Sequence, residues 1–185
     1  KCRNEYIFRA DGDDLNFKER FETQLPILIE GYDVVGSYIN EYDEKGFFLS
    51  TKRVPISNKD ISKMIVYRNP MNHMTVGFRK EALLEVGGYP ELFLKGDYGL
   101  WIKLIALKKR FKNVDHPLVK ASTGSRMIKD RGGLRYVRSE FLLQKYLIRF
   151  RLSNIFFASI IFISRSTVFL MPYKIRGLIY KLFLR

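Results

Sequence analysis

Apolar and polar positions alternate between short strand-like runs and longer helical stretches as far as about residue 125. Branched and aromatic residues between turn formers predict strands in EYIFRA, YDVVGSYIN, FFLSTKR, HMTVGFR and FKNVDHPLVKAS. Helical spacing predicts helices in LNFKERFETQLPILIE, SNKDISKMIVYRN, KEALLEVGGY and DYGLWIKLIALKKRF, the last of them amphipathic. We expect Pro26 to end or kink the first helix, and Ser57 or Asn58 to cap the second. The pattern predicts a mixed α/β fold.

The pattern changes near Tyr136, where a long helical stretch begins. Residues 152–164 carry no charge, but thirteen residues are fewer than the roughly 20 that a membrane span needs. We expect an interfacial amphipathic segment, with a buried helix and a true span as alternatives. We therefore divide the chain into residues 1–135 and a basic, apolar helical tail, residues 136–185, that associates with a membrane.

Charge is distributed unevenly along the 185 residues, whose net charge is +14. Residues 101–185 hold 19 of the 33 Lys and Arg but only three of the 19 Asp and Glu. This excess favours an anionic partner. Because long apolar stretches interrupt the basic half and it shows no nucleic-acid-binding motif, we expect an anionic membrane surface and no nucleic acid. The single Cys2 excludes an internal disulfide.

Three carboxylates follow the first predicted strand, in the stretch YIFRADGDD. Asp11, Asp13 and Asp14 lie within four residues, so they repel one another unless a cation, hydrogen-bond donors or water compensates. Ligands of open α/β sheets bind at such strand ends. The cluster is therefore either a surface turn or a site for Mg²⁺ or Mn²⁺.

Five motifs occur in a specific order: RADGDD, NPMNHMTVGFR, VGGYPE, GDYGLW and RMIKDRGG. Together they resemble the family 2 glycosyltransferases, in particular the bacterial branch that builds capsule, O-antigen and other surface polysaccharides. The resemblance covers about residues 5–140. It implies a GT-A fold, in which residues 1–135 form the C-terminal portion of the catalytic domain and a Rossmann-related mixed sheet is flanked by helices.

The resemblance also implies a reaction and assigns roles to four acidic residues. The family moves a sugar, with inversion, from a nucleotide-diphosphate donor, here expected to be a UDP-sugar. Asp13 matches the ligand of Mn²⁺ or Mg²⁺, Asp11 lies nearer the ribose or the metal, and Asp14 supports them. Asp97 matches the base that deprotonates the acceptor hydroxyl, although the family's preceding Glu is Gly96 here; alternatively, Asp97 only caps a helix.

Five further residues are candidates for substrate contacts by the same resemblance. His73 and Arg131 match positions near the donor phosphates, while Gly88, Tyr89 and Trp101 match the acceptor side. Each has a structural alternative. His73 is then a hydrogen-bonded structural histidine, Arg131 is a solvated charge, Gly88 and Tyr89 only end a helix, and Trp101 packs in the core. We expect Trp101 to pack in the core.

The function that we predict is an inverting glycosyltransferase acting on a lipid-linked saccharide at the cytoplasmic face of the bacterial inner membrane. Because the family's first strand and nucleotide-binding loop have no match here, we expect an N-terminal part to be missing. The alternatives are an inactive transferase fragment, a basic membrane- or nucleic-acid-binding module, and a haloacid-dehalogenase-type phosphatase. The phosphatases share a strand followed by D-x-D, but they are expected to have a further Asp shortly after the second G-D element, where this chain continues Tyr-Gly-Leu-Trp.

Overall fold

The computed structural model of the protein describes residues 2–122 and 132–183. The chain divides into two compact units. The first consists of Lys1–Gly88 and Lys103–Thr123, and the second of Tyr89–Ile102 and Gly124–Arg185. The division that composition suggests at residue 135 stays a prediction.

A six-stranded mixed sheet forms the centre of the first unit. Its strands are β1 (Tyr6–Phe8), β2 (Leu15–Asn16), β3 (Val34–Tyr42), β4 (Phe48–Lys52), β5 (Gly77–Arg79) and β6 (Phe111–Ser122). The order is β1-β5-β3-β6-β2, and β4 pairs with β3. Strands β3 and β6 are parallel, whereas the other pairs are antiparallel. The predicted mixed sheet is confirmed.

Strand β3 lies at the middle of the sheet and is buried along most of its length. Val35 packs with Leu28 and Leu118 in one core cluster, and Ile39 packs with Val119 in another. A strand covered on both faces needs apolar residues without strict alternation. This requirement accounts for the run DVVGSYIN.

Besides the sheet, the described residues of the first unit form three helices and a 3-10 turn. They are α1 (Arg20–Ile29), α2 (Asn58–Met64), the 3-10 turn (His73–Thr75) and α3 (Lys80–Glu85). The Ser57 side chain caps α2 as predicted. The first helix does not end at Pro26, because α1 continues through it to Ile29, whereas a kink at Pro26 stays a prediction. Pro26 has no amide to donate to the Glu22 carbonyl, and both residues lie on the exposed side of the helix, where that carbonyl is accessible to solvent.

Helix α4 (Gly96–Ala106) contributes residues to both units. We expected an amphipathic helix, but Tyr98, Leu100, Trp101, Ile102 and Leu104 are all buried. Since consecutive residues point to different sides of a helix, α4 is covered nearly all round. The helix has too few polar residues to form a polar face toward solvent.

The second unit continues with three helices: α5 (Leu134–Arg149), α6 (Ile155–Leu170) and α7 (Tyr173–Phe183). The Asn154 side chain accepts a hydrogen bond from the Phe157 amide and so begins α6. Among the described residues, no helix combines the length and apolarity that a bilayer crossing requires.

Candidate functional site

The three clustered carboxylates lie in one loop, residues 11–14, between β1 and β2. The Asp14 amide donates to the Asp11 carbonyl, which closes the loop as a turn. The Asp14 carboxylate accepts a hydrogen bond from the Ser122 amide on β6 at 3.3 Å, while Asp11 pairs with Arg9 at 2.8 Å. Burial raises the pKa of Asp14, the Ser122 bond opposes that rise, and Asp13 and Asp11 add to it. We call residues 11–14 the carboxylate loop.

Arg20 on α1 lies directly behind this loop and is fully buried. It donates to the Arg9 carbonyl at 2.8 Å, to the Asn16 side chain, and to Gln24 Oε1 at 3.1 Å. Burial lowers its pKa to about 10, and the charge of Asp11 acts in the opposite direction. One cation therefore holds both the strand that enters the carboxylate loop and the strand that leaves it.

Gln24 extends these contacts into the sheet. Its amide nitrogen donates to the Val35 carbonyl on β3 at 3.2 Å and to the Thr75 carbonyl at 2.9 Å. Gln24 itself has no exposed surface, so both bonds are shielded from water. A buried amide with satisfied partners fixes the spacing of the groups that it joins.

The network ends at the 3-10 turn that carries His73. The Thr75 hydroxyl donates to the Asn72 carbonyl at 2.7 Å and accepts from the Ser37 amide at 3.0 Å. Asn72 in turn donates to the Ser37 carbonyl at 3.0 Å. Arg20, Gln24, Ser37, Asn72 and Thr75 thus form what we call the buried polar network. It connects the carboxylate loop to the backbone of His73, whose side chain is half-buried.

Arg20 and Gln24 are the residues beside the candidate site that the sequence analysis missed. They precede Leu28 at intervals of four residues, so all three lie on the inner face of α1. Two polar residues on an otherwise apolar helical stripe are the signal that would have identified them, since a buried charge requires partners.

Asp97 lies in the second unit, in the first turn of α4. Because the helix begins at Gly96, Asp97 is inside the helix and does not occupy the capping position that we considered. A carboxylate in the first turn still interacts favourably with the helix dipole.

Beside Asp97, the second unit contains a buried ionic cluster. Glu140 on α5 has no exposed surface and pairs with Lys95 at 3.5 Å and with Arg165 of α6 at 3.2 Å. Burial and the charge of Arg165 lower the pKa of Lys95 to about 8, whereas Glu140 and Asp97 act to raise it. The cluster joins the segment just before Asp97 to two other helices.

The other predicted residues differ in burial and in backbone conformation. Gly88 has a positive φ of 69° after α3, as a tight turn requires, and its carbonyl accepts from Lys103. Tyr89 is exposed by 45%. Trp101 is completely buried, so it packs in the core and its ring is not available to stack on a sugar. Arg131 lies outside the described residues.

The structure therefore places the predicted residues in two sets. Asp11, Asp13 and Asp14 share one loop of the first unit. His73 and Gly88 belong to the same unit, outside that loop. The second unit contains Asp97, Tyr89 and Trp101. Within the described parts of the chain, no group of three or more His, Cys, Asp or Glu is arranged to hold a metal ion.

Comparison with solved structures assigns the fold to the GT-A type. The crystal structure of TarS from S. aureus agrees with this fold: its TM-score is 0.58 at 16% identity, over 100% of this chain and 52% of TarS. No family model matches the sequence.

Curated relatives show the family. The amylovoran biosynthesis glycosyltransferase AmsE of Erwinia amylovora is 32% identical over 98% of this chain and 68% of its own length. The UDP-Gal:alpha-D-GlcNAc-diphosphoundecaprenol beta-1,3-galactosyltransferase of Escherichia coli is 34% identical over 100% of this chain and 68% of its own length. The chain belongs to the bacterial glycosyltransferases of surface-polysaccharide synthesis, as its motifs predicted, and spans about two thirds of these relatives. The phosphatase alternative is therefore set aside.

We expect Arg20→Met to lower the free energy of unfolding by about 1–3 kcal/mol, because the buried Gln24 Oε1 and the partly buried bonds to the Arg9 carbonyl and the Asn16 side chain lose their donor. Urea denaturation measures the change, with Lys18→Met, an exposed neighbour of Arg20, as the matched control. A loss below about 1 kcal/mol would show that the network does not depend on this guanidinium.

Lys95 should make stability depend on pH in a specific window. Its folded-state pKa of about 8 lies below the ordinary 10.5, so the unfolded chain binds more protons between these values. Its contribution to stability therefore increases as the pH rises from about 8 to 10.5. We expect this increase to disappear in Lys95→Met and to persist in the exposed control Lys59→Met, measured by urea denaturation across that range. Equal pH dependence in both variants contradicts the assignment.

Proposed function

We propose that this chain is the catalytic part of a metal-dependent, inverting glycosyltransferase. It moves a sugar from a UDP-sugar to a hydroxyl of a lipid-linked saccharide at the cytoplasmic face of the bacterial inner membrane. The observation that carries this proposal is the carboxylate loop, held from behind by buried Arg20, in a chain of the polysaccharide glycosyltransferase family. The name of the E. coli relative, which contains a UDP-sugar and a diphosphoundecaprenol saccharide, supports these substrate classes.

Asp13 and Asp11 are the residues that would hold Mn²⁺ or Mg²⁺. Carboxylate oxygens are the donors that these hard cations prefer, and one or two carboxylates suffice when substrate phosphates complete the coordination. The lack of a third converging ligand among the described residues agrees with such a shared site. When bound, the cation offsets the negative charge that gathers on the departing diphosphate. Asp14, tied to Ser122, holds the shape of the loop.

Asp97 is the general base of the proposed mechanism. Its carboxylate takes the proton of the acceptor hydroxyl as that oxygen attacks the anomeric carbon opposite the leaving diphosphate, which inverts the configuration. Glu140, paired with Lys95 and Arg165, restrains the chain immediately before Asp97. The ionic cluster thereby supplies support where Gly96 replaces the family's Glu.

Four other residues complete the proposed substrate site. His73 and Arg131 contact the donor phosphates, with the His73 backbone held by the buried polar network. Gly88 and Tyr89 face the acceptor, where the positive φ of Gly88 allows close approach of the backbone.

The surface of the second unit supports an anionic membrane as a partner. On α6, Ile155 and Phe156 are exposed by 74% and 76%, and Leu178 of α7 is also exposed. Arg151 and Lys174 flank these apolar side chains. Exposed apolar residues between basic residues suit the boundary between lipid headgroups and acyl chains.

Substitution of the acidic residues tests the proposed reaction. We expect Asp13→Ala to reduce Mn²⁺-dependent UDP release at least 100-fold, since charge stabilisation on the leaving group is lost. Asp97→Asn should lower turnover by roughly 10²–10⁴ while the affinity for UDP stays within twofold, because only the proton acceptor is removed. Rates in the full-length gene product with UDP-sugars and bacterial lipid extract provide the test, with exposed Glu30→Gln as control. Normal turnover in Asp97→Asn would show that another group is the base.

Membrane binding is tested separately from transfer. We expect the double variant Ile155→Ser, Phe156→Ser to bind phosphatidylglycerol vesicles at least roughly tenfold more weakly, because two apolar side chains no longer enter the bilayer. Vesicle flotation measures this. The matched control, Ile29→Ser with Leu84→Ser, changes two residues of similar exposure in the first unit. An equal effect of both double variants would exclude a specific role for α6.

A further inference from the structure

The last helix of the second unit, α7, turns apolar side chains outward and an arginine inward. Ile175 and Leu178 are exposed by 50% and 58%, whereas Arg176 is exposed by only 5%. Burial of apolar surface would favour the opposite rotation of the helix, and a helix that only binds a membrane surface keeps its charges in water. The contacts of Arg176 therefore orient this helix.

Arg176 lies at the junction where α6 ends and α7 begins. Its Nη1 donates to the carbonyls of Phe169 and Met171, both at 3.2 Å. These carbonyls belong to the end of α6, where a helix has no further amides of its own to offer. A cation in this place also interacts favourably with the helix dipole. These contacts alone describe a helix cap.

A further contact of Arg176 lies in the motif RMIKDRGG, at the first of its two final glycines. A Cβ added to Gly132 would clash with the Arg176 guanidinium, whose Nη2 would be only 2.8 Å away. The φ of Gly132 lies outside the left-handed region, so its backbone does not require a glycine. The missing side chain is what allows the guanidinium to lie against the backbone here.

Gly133 completes the turn for a different reason. Its φ of 79° favours glycine, and its amide donates to the Phe169 carbonyl at 2.9 Å. The same carbonyl accepts from Arg176, and the Phe169 ring packs on that of Tyr136 of α5 with 5.5 Å between ring centres. One carbonyl thus joins the glycine turn to the end of α6 and to α7.

We propose that Arg176 is a positioning residue for the donor site, because it holds the Gly132–Gly133 turn next to Arg131. The proposal rests on the proposed function, which assigns Arg131 to the donor phosphates. Since a peptide bond joins Gly132 to residue 131, a shift of the turn displaces the neighbouring arginine as well, and small displacements weaken a contact strongly. The helical tail then serves the donor as well as the membrane.

Binding and kinetics in the full-length gene product test this role. We expect Arg176→Met to weaken the binding of UDP with Mn²⁺ roughly fivefold or more, because a displaced phosphate contact loses most of its strength. KM for UDP-galactose, the sugar nucleotide in the name of the E. coli relative, should rise similarly, while KM for the lipid-linked acceptor stays within about twofold. Gly132→Ala should have the same effect through the clash with the guanidinium, without removing a charge.

The matched control is Arg149→Met, which removes an exposed arginine from the last turn of α5. The double variant Gly132→Ala, Arg176→Met should bind UDP within about twofold of Arg176→Met, since both substitutions break one contact. If Arg176→Met does not fold, as judged by circular dichroism, Gly132→Ala decides in its place.

Unchanged donor affinity overturns the proposal and reduces Arg176 to a helix cap. An effect confined to KM for the acceptor, or an equal effect of Arg149→Met, overturns it as well. If the wild-type protein shows no Asp13-dependent UDP release, the proposed function fails instead. Titration with Mn²⁺ and UDP alone then decides on Arg176: weaker binding in Arg176→Met and Gly132→Ala but not in Arg149→Met supports the positioning role, and any other result, including no binding by the wild type, overturns it.

Discussion

The guanidinium of Arg20 is the buried charge around which the first unit is organised. Removing a cation from water is costly, and this guanidinium donates to neutral oxygens of Arg9, Asn16 and Gln24. Those oxygens must be in place before the charge is tolerated, so the ends of β1 and β2 can adopt few other arrangements. The carboxylate loop between them is consequently held in shape without relying on a bound ion.

Close side-chain packing explains an unusual feature of the central strand. Gly36 lies in the middle of β3, and an added Cβ would come within 2.3 Å of Asn113 Oδ1 and 2.8 Å of the Met71 Cε. Asn113 itself donates to the carbonyls of Pro55 and Pro70, which fixes the segment leading to the 3-10 turn. A glycine within a strand is normally unfavourable, but the missing side chain of Gly36 leaves the space that the Asn113 side chain occupies.

The fold was largely predictable, because strand runs such as DVVGSYIN and the ordered motifs depend on local sequence. The errors occurred where tertiary contacts decide the outcome. Pro26 is tolerated because its side of α1 faces water, and α4 is buried all round because packing, which periodicity does not report, surrounds it. Gln24 escaped notice for a similar reason, since the Val35 and Thr75 carbonyls that it bonds lie on other elements of the sheet region.

The β3–β4 hairpin has a consequence for how new specificities arise. Asp43 closes its tip by accepting from the Lys45 and Phe47 amides, and Gly46 adopts the positive φ that the turn needs, so the tip is structurally self-sufficient. None of its bonds involves the buried polar network. Insertions or replacements between residues 43 and 47 can therefore change the surface beside Asp13 while the carboxylate loop keeps its geometry, which makes the hairpin tip a tolerant position for divergence among related transferases and a natural choice for loop grafting.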